Sequence, residues 1–289
     1  LMNQLNLFVE LTRLKKPIGY MLLFWPCSWG LTLAYDFSSD LNIYFFYLLL
    51  FFLGSVLMRS AGCIINDILD RKFDEKVFRT KDRPIASGKI SVKLGLLYAS
   101  LLCLLAFLVL INFNTFTIII ALASMPLAFT YPLMKRFTYW PQLFLGITFN
   151  YGLILGWTSI NTEINLIPLI FYFGAIFWTL AYDTIYGFQD IKDDEIIGLK
   201  STSIKFKSNP IIFLYFCYII FLSSLILIGF LYEFSKLYYL SLIPIIYHMY
   251  FIQLIKFNSN NPNICLKIFK SNNFLGLIIF FSLLIGKLI

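Results

Sequence analysis

Apolar runs of about 20 residues, the length that crosses a bilayer as a helix, alternate with short polar loops along the whole of this chain. Nine such runs lie at approximately 17–35, 42–65, 92–112, 115–134, 142–160, 165–187, 210–232, 237–255 and 273–289. Each is continuous, without the residue-by-residue alternation of a membrane barrel, which predicts helices and disfavours strands. Only 13% of the residues are charged and 60% are hydrophobic, against roughly 25% charged in a soluble domain. A water-soluble fold cannot hide that much apolar surface. The expected fold class is therefore all-α: a polytopic membrane protein with nine transmembrane helices, forming a single membrane-embedded domain over residues 1–289. The first run, beginning near Pro17, has no small-residue cleavage site before the next charges and reads as a retained helix, not a signal peptide.

The net charge of +8 invites a nucleic-acid reading, but the basic residues sit in loops where they encode topology instead. All but three of the 23 fall beside the N-terminus or in the loops after the second, fourth, sixth and eighth spans; the exceptions are Arg59, Lys236 and Lys287. That bias places those loops in the cytoplasm or an organelle matrix and the C-terminus on the other side. No Arg-rich, acid-poor leader precedes the first span, and Ile, Asn, Lys and Phe are abundant, as in an AT-rich genome. A bacterial inner (plasma) membrane is expected over a mitochondrial inner membrane. The two longest polar loops lie four spans apart, hence on one side, and suggest a weak duplication of a four-helix unit over about 17–134 and 142–255.

Those two loops hold an unusual share of the acids. The first reads NDILDRKFD over positions 66–74, and places Asp67, Asp70 and Asp74 at i, i+3 and i+7, one face of a helix. They sit at a helix C-terminus, where their charges oppose both the dipole and one another, so something cationic must compensate them. The second reads DTIYGFQDIKDD over positions 183–194, and spaces Asp183, Tyr186, Asp190 and Asp194 along one helical face. Hard oxygen ligands without His or Cys suit Mg²⁺ or Ca²⁺. Two facing carboxylate clusters suit a diphosphate clamped through bridging metal ions; the plainer alternative is solvated loop charge paired with neighbouring Lys and Arg. Zinc or Ser–His–Asp chemistry has little to be built from. The five cysteines show no CxxC spacing, and His248, the one histidine, lies inside an apolar run.

The run NDILDRKFDEKVFRTKDRPIASGKIS resembles the first signature of the UbiA-type intramembrane prenyltransferases, NDxxDxxxD followed by RPxxSG. The run DTIYGFQDIKDDEIIGLKST resembles their second, DxxYxxxDxxxD followed by GxKST. The stretches RLKKPIGYMLLFWPCSW, YPLMKRFTYWPQLFLG and KSNNFLG agree, and the whole is most similar to the branch that prenylates 4-hydroxybenzoate in ubiquinone biosynthesis. The resemblance implies helices around a central cavity open to lipid for a prenyl tail. It also implies Mg²⁺-dependent transfer of a polyprenyl group from polyprenyl diphosphate to a ring carbon of 4-hydroxybenzoate. Asp67, Asp70, Asp74, Asp190 and Asp194 would hold Mg²⁺, with Asn66 beside the metal. Arg79, Arg83, Lys135, Arg136 and Lys200 would hold phosphate oxygens. Tyr131 and Tyr186 lie near the motifs and could steady an allylic cation.

Within the family the acceptor could instead be a haem, a naphthoate, a homogentisate or a sugar phosphate, and a secondary transporter is the rival from another class. Arg59 lies well inside the second span, where a charge is costly and normally functional. It shares a helical face with Asn66 and Asp70 and sits about 10 Å deeper. One expectation is that Arg59 and Asn66 hold the carboxylate of the aromatic acceptor; the alternative is snorkelling or a structural hydrogen bond.

Overall fold

The computed structural model describes residues 2–76 and 80–289. After a short helix α1 (Met2–Thr12) come α2 (Ile18–Ala34), α3 (Leu41–Asp74), α4 (Val92–Leu110) and α5 (Thr115–Thr130), which tightens into a 3₁₀ turn over Tyr131–Arg136. Then follow α6 (Pro141–Thr158), α7 (Leu166–Gly187), two short helices α8 (Ile191–Ile197) and α9 (Thr202–Lys205), and α10 (Pro210–Leu231). The chain continues through α11 (Lys236–Ser241), α12 (Ile243–Tyr247), a π-helical stretch over His248–Ile255 and finally α13 (Pro262–Leu288). The described residues contain no strand.

The helix starts follow from local chemistry. Asp40, Ser91, Asn114, Asn165 and Asn261 precede α3, α4, α5, α7 and α13, and each side chain accepts a hydrogen bond from a first-turn N–H. These satisfy donors that the helix itself cannot. Pro141, Pro210 and Pro262 open α6, α10 and α13, where the missing N–H costs nothing.

Among the described residues, seven helical segments are long and apolar enough to cross a membrane: α3, α4, residues 115–136, α7, α10, residues 236–255 and α13. The chain is a multi-pass membrane protein. The other two expected spans also form helices, but α2 has only 17 residues and α6 carries Gln142 and Asn150 in its buried face. Their position explains the shortfall. The two pack against each other more extensively than any other pair, so neighbours, and not lipid, surround much of their surface. The contact is backbone to backbone. A Cβ on Gly30 would stand 2.0 Å from the Leu153 carbonyl oxygen, and one on Gly156 2.2 Å from that of Cys27, so only glycine permits the approach. The Asn150 amide donates to the Thr179 hydroxyl at 2.7 Å and to the Gly146 carbonyl at 2.8 Å, so its N–H groups find acceptors inside the bundle. The five cysteines are free, and His248 is packed at 1% exposure.

At 34 residues, α3 is about 50 Å long, well beyond the roughly 30 Å of hydrocarbon. Its last turns therefore project past the membrane on the side of the first acidic motif. The residues read from sequence as a loop from Asn66 onward remain helical to Asp74.

Candidate active site

The projecting end of α3 brings Asp67, Asp70 and Asp74 together on one face, as their spacing requires. They are not solvated: their exposures are 2%, 2% and 7%. A buried carboxylate needs compensating charge, and four cations supply it. The Arg13 Nη2 stands 2.5 Å from Asp67 Oδ1. The Arg83 Nη1 reaches the same oxygen at 3.2 Å and Asp74 Oδ2 at 2.8 Å. Lys135 pairs with Asp70 Oδ2, while the Arg136 Nη2 donates to the Leu69 carbonyl at 2.7 Å and lies 3.4 Å from Asp70 Oδ1. The cations come from the turn between α1 and α2, the loop after α3, and the 3₁₀ turn that follows α5. Three separate stretches of chain are thus fastened to one row of acids. Asn66 is half-buried beside Asp67. Arg79, expected to bind diphosphate, lies outside the described residues.

The second motif departs from the single continuous helix that its spacing suggested. Helix α7 ends at Gly187, leaving Asp183 and Tyr186 in its last turns; Asp190 stands at the start of α8, and Asp194 lies within it. Gly198 at φ +79° then reverses the chain. Hydrogen bonds tie the stretch after this segment to the 3₁₀ turn, to α6 and to α7. The Lys200 N–H donates to the Lys135 carbonyl at 2.8 Å, the Thr202 N–H to Gln142 Oε1 at 2.9 Å, and the Ser203 hydroxyl to the Thr184 carbonyl at 2.7 Å. The Lys200 ammonium donates to the Phe137 carbonyl at 3.3 Å and lies over the Tyr139 ring, so its contacts are with the turn and not with the α3 acids. Tyr186 packs on Phe269 of α13, with centroids 4.4 Å apart. Among the described residues no three His, Cys, Asp or Glu side chains are already gathered into a metal-binding group; the α3 carboxylates are held by cations instead.

Next to the acids, a cavity of about 370 Å³ runs between α2, α3, α4, α5 and α6, lined by side chains such as Leu50, Phe51, Phe113 and Met125. Phe107 and Leu122, on α4 and α5, line it too and are 44% and 48% exposed, so it opens sideways towards lipid. Arg59 and Tyr131 form its polar wall. The Arg59 guanidinium lies 5.4 Å from the centre of the Phe149 ring, beside the Tyr131 hydroxyl and within electrostatic reach of Asp183. A Cβ at Gly19 would come within 2.8 Å of Arg59 Nε, so the glycine makes room for this side chain. Tyr131 opens the same 3₁₀ turn that carries Lys135 and Arg136, and that turn links the cavity to the acid cluster.

Sequence reasoning missed Arg13 as a site residue. It was legible as one of three basic residues before the first span and as the start of a stretch that resembles the family; nothing local announced its left-handed backbone (φ +56°) or its partner 54 positions away.

The sequence profile of the UbiA prenyltransferase family matches residues 23–283. The mitochondrial 4-hydroxybenzoate polyprenyltransferase of Bos taurus is 43% identical over 282 residues, covering 97% of this chain and 75% of that protein. The 4-hydroxybenzoate octaprenyltransferase of Hydrogenovibrio crunogenus is 37% identical over 290 residues, covering 99% of each. Among solved structures, a UbiA homologue from Aeropyrum pernix K1 superposes with a TM-score of 0.76 at 20% identity, over 92% of this chain and 97% of that one. A UbiA homologue from Archaeoglobus fulgidus bound to DMAPP and Mg²⁺ gives 0.69 at 18% identity, over 96% and 98%.

Proposed function

The chain belongs to the UbiA prenyltransferase family, and on that premise we propose that it transfers a polyprenyl group from polyprenyl diphosphate to a ring carbon of 4-hydroxybenzoate in ubiquinone biosynthesis, releasing diphosphate. The observation that carries this reading is a buried row of carboxylates, ringed by cations, next to an apolar cavity with one arginine in its wall.

The donor set fits Mg²⁺: α3 and the second motif offer carboxylate and amide oxygens and neither His nor a second cysteine. Asp70, Asp74, Asp190 and Asp194 are the residues that would hold it. Asp67, expected to join them, is taken up by two guanidiniums. Magnesium, when bound, offsets the charge of the departing diphosphate. Lys135, Arg136 and Arg83 are half-buried and would turn their N–H groups to phosphate oxygens. Arg136 Nε is already a buried donor without an acceptor among the described residues. Lys200 would contribute through its backbone link to Lys135, and Arg79 and Asn66 stand in the same motif.

Loss of diphosphate leaves an allylic cation. The faces of Phe149 and Tyr131 would steady it, and the apolar lining would keep water away. Arg59 would hold the acceptor carboxylate, presenting the ring to the cation. The proton released from the ring carbon completes the substitution. We read residues 1–289 as one domain, with the two four-helix units of a weak duplication meeting at this site. We place the protein in a bacterial inner membrane, with both acidic motifs on the cytoplasmic side that the basic loops mark. Cysteines introduced at positions 81 and 205 would then react with an impermeant thiol reagent from the cytoplasmic side, and those at 38 and 162 from the opposite side.

The test is conversion of labelled 4-hydroxybenzoate by membranes containing the protein, offered polyprenyl diphosphates of several lengths. Label should enter a lipid-soluble product, be lost with EDTA and return with Mg²⁺. Prenylation of naphthoate, homogentisate or haem, with 4-hydroxybenzoate left untouched, would overturn the acceptor assignment.

A further inference from the structure

Asp67 and Arg13 do not behave as the motif spacing suggests. The Asp67 carboxylate is 3% exposed, and one oxygen, Oδ1, accepts from two guanidiniums at once: Arg13 at 2.5 Å and Arg83 at 3.2 Å. Arg83 continues to Asp74 at 2.8 Å, so the charges alternate in a chain Arg13–Asp67–Arg83–Asp74. An arginine cannot give up its proton to make way for a metal ion, and two guanidiniums on one oxygen repel any further cation. The arginines are differently placed. Their side chains keep 22% and 27% exposure, and each guanidinium has five N–H donors, of which these contacts use few.

Arg13 is also costly to place. It sits at φ +56°, a backbone conformation that L side chains rarely adopt, at the turn between α1 and α2. That turn aims it at α3, with Tyr186 of the second motif in its electrostatic surroundings. A surface bridge does not require such a conformation; strained positions cluster where a ligand is held.

We propose that Arg13 is a diphosphate-binding residue, and that Asp67 is a positioning residue that holds Arg13 and Arg83 towards the diphosphate instead of ligating metal. The inference rests on the function proposed above. What separates Asp67 from its neighbours on the same helix face is the pair of guanidiniums converging on one oxygen; Asp70 meets one lysine and, at 3.4 Å, one arginine on separate oxygens, and Asp74 a single arginine.

The experiment is steady-state kinetics on purified full-length protein in detergent with 4-hydroxybenzoate and a soluble short-chain prenyl diphosphate, together with Mg²⁺ titration and thermal unfolding. Arg13→Gln should raise KM for the prenyl diphosphate about tenfold or more, the scale of one lost charge-assisted hydrogen bond. The KM for 4-hydroxybenzoate and the half-saturating Mg²⁺ should stay within about twofold. Arg13→Lys, which keeps the charge without the fork, should fall between. Asp67→Asn should reproduce the Arg13→Gln pattern, and the double variant should add little to either single one. Asp70→Asn is the control for the metal site and should shift the Mg²⁺ dependence. An Asp67→Asn variant that shifts Mg²⁺ dependence as Asp70→Asn does would overturn the proposal. So would a folded Arg13→Gln variant with unchanged prenyl diphosphate KM. Normal activity and Mg²⁺ response in Asp70→Asn would instead sink the metal assignment itself.

Discussion

The two halves of the bundle are built to different densities. In α4 and in residues 115–136, 17% of the most apolar stretch is buried within the protein, against 56% in α7 and 44% in α10. The second half and α2 share a core in which Trp29, Phe171, Trp178 and Phe221 cluster with centroids 5.0–6.5 Å apart. The Trp178 indole N–H donates to Asn272 at 2.9 Å. The first half has a smaller core around Leu11, Ile64 and Ile85 and, with α6 as one wall, encloses the cavity. The difference teaches that one half supplies rigidity and the other supplies space. The two acid clusters sit where they join, on the end of α3 and the α7–α8 turn.

The largest effect expected of this contrast is on folding. Trp178→Ala should cost about 3–5 kcal/mol of stability, seen as loss of monodisperse protein in detergent, whereas Phe107→Ala in the open half should cost under about 1 kcal/mol. Equal losses would erase the distinction between scaffold and cavity. Next come the acids where the halves meet. Asp70→Asn, Asp74→Asn, Asp190→Asn and Asp194→Asn should each lower turnover by about a hundredfold or more, with the unfolding temperature little changed. Near-normal turnover in two of them would break the metal clamp. Within the cavity, Arg59→Gln should raise KM for 4-hydroxybenzoate about tenfold and leave prenyl diphosphate affinity nearly intact. An unchanged acceptor KM would return Arg59 to a structural role. The smallest effect belongs to the cavity mouth: Leu122→Ala should leave stability and turnover within about twofold while changing the relative use of long and short prenyl diphosphates.

The sequence made the fold class plain, because a membrane-spanning helix advertises itself through length and apolarity alone. It was less informative where helices face protein. The shortness of α2 and the polar residues of α6 make sense only once Gly30 and Gly156 are seen to let the two backbones touch. The α3 acids were visible from their spacing, since i, i+3 and i+7 share a face in any helix. Their burial was not, because it depends on Arg13, Arg83, Lys135 and Arg136 arriving from three other places in the chain. Asp190 and Asp194 were visible as acids but not as residues of a separate short helix, since nothing in their spacing marks the break after Gly187. Lys200 shows the converse: its place in the motif suggested a phosphate contact, yet its ammonium caps the Phe137 carbonyl.

The most direct test of the central claim, that the acid clusters and the cavity form one site, is a structure of the protein with a non-reactive prenyl thiodiphosphate and Mn²⁺, the metal located by its anomalous scattering. The account predicts metal between Asp70 and Asp74 of α3 and Asp190 and Asp194 of the second motif, the diphosphate among Arg13, Arg83, Lys135 and Arg136, and the prenyl chain running past Arg59 into the cavity of the first half. Metal bound away from these four carboxylates, or a prenyl chain lodged among the helices of the second half, would contradict it.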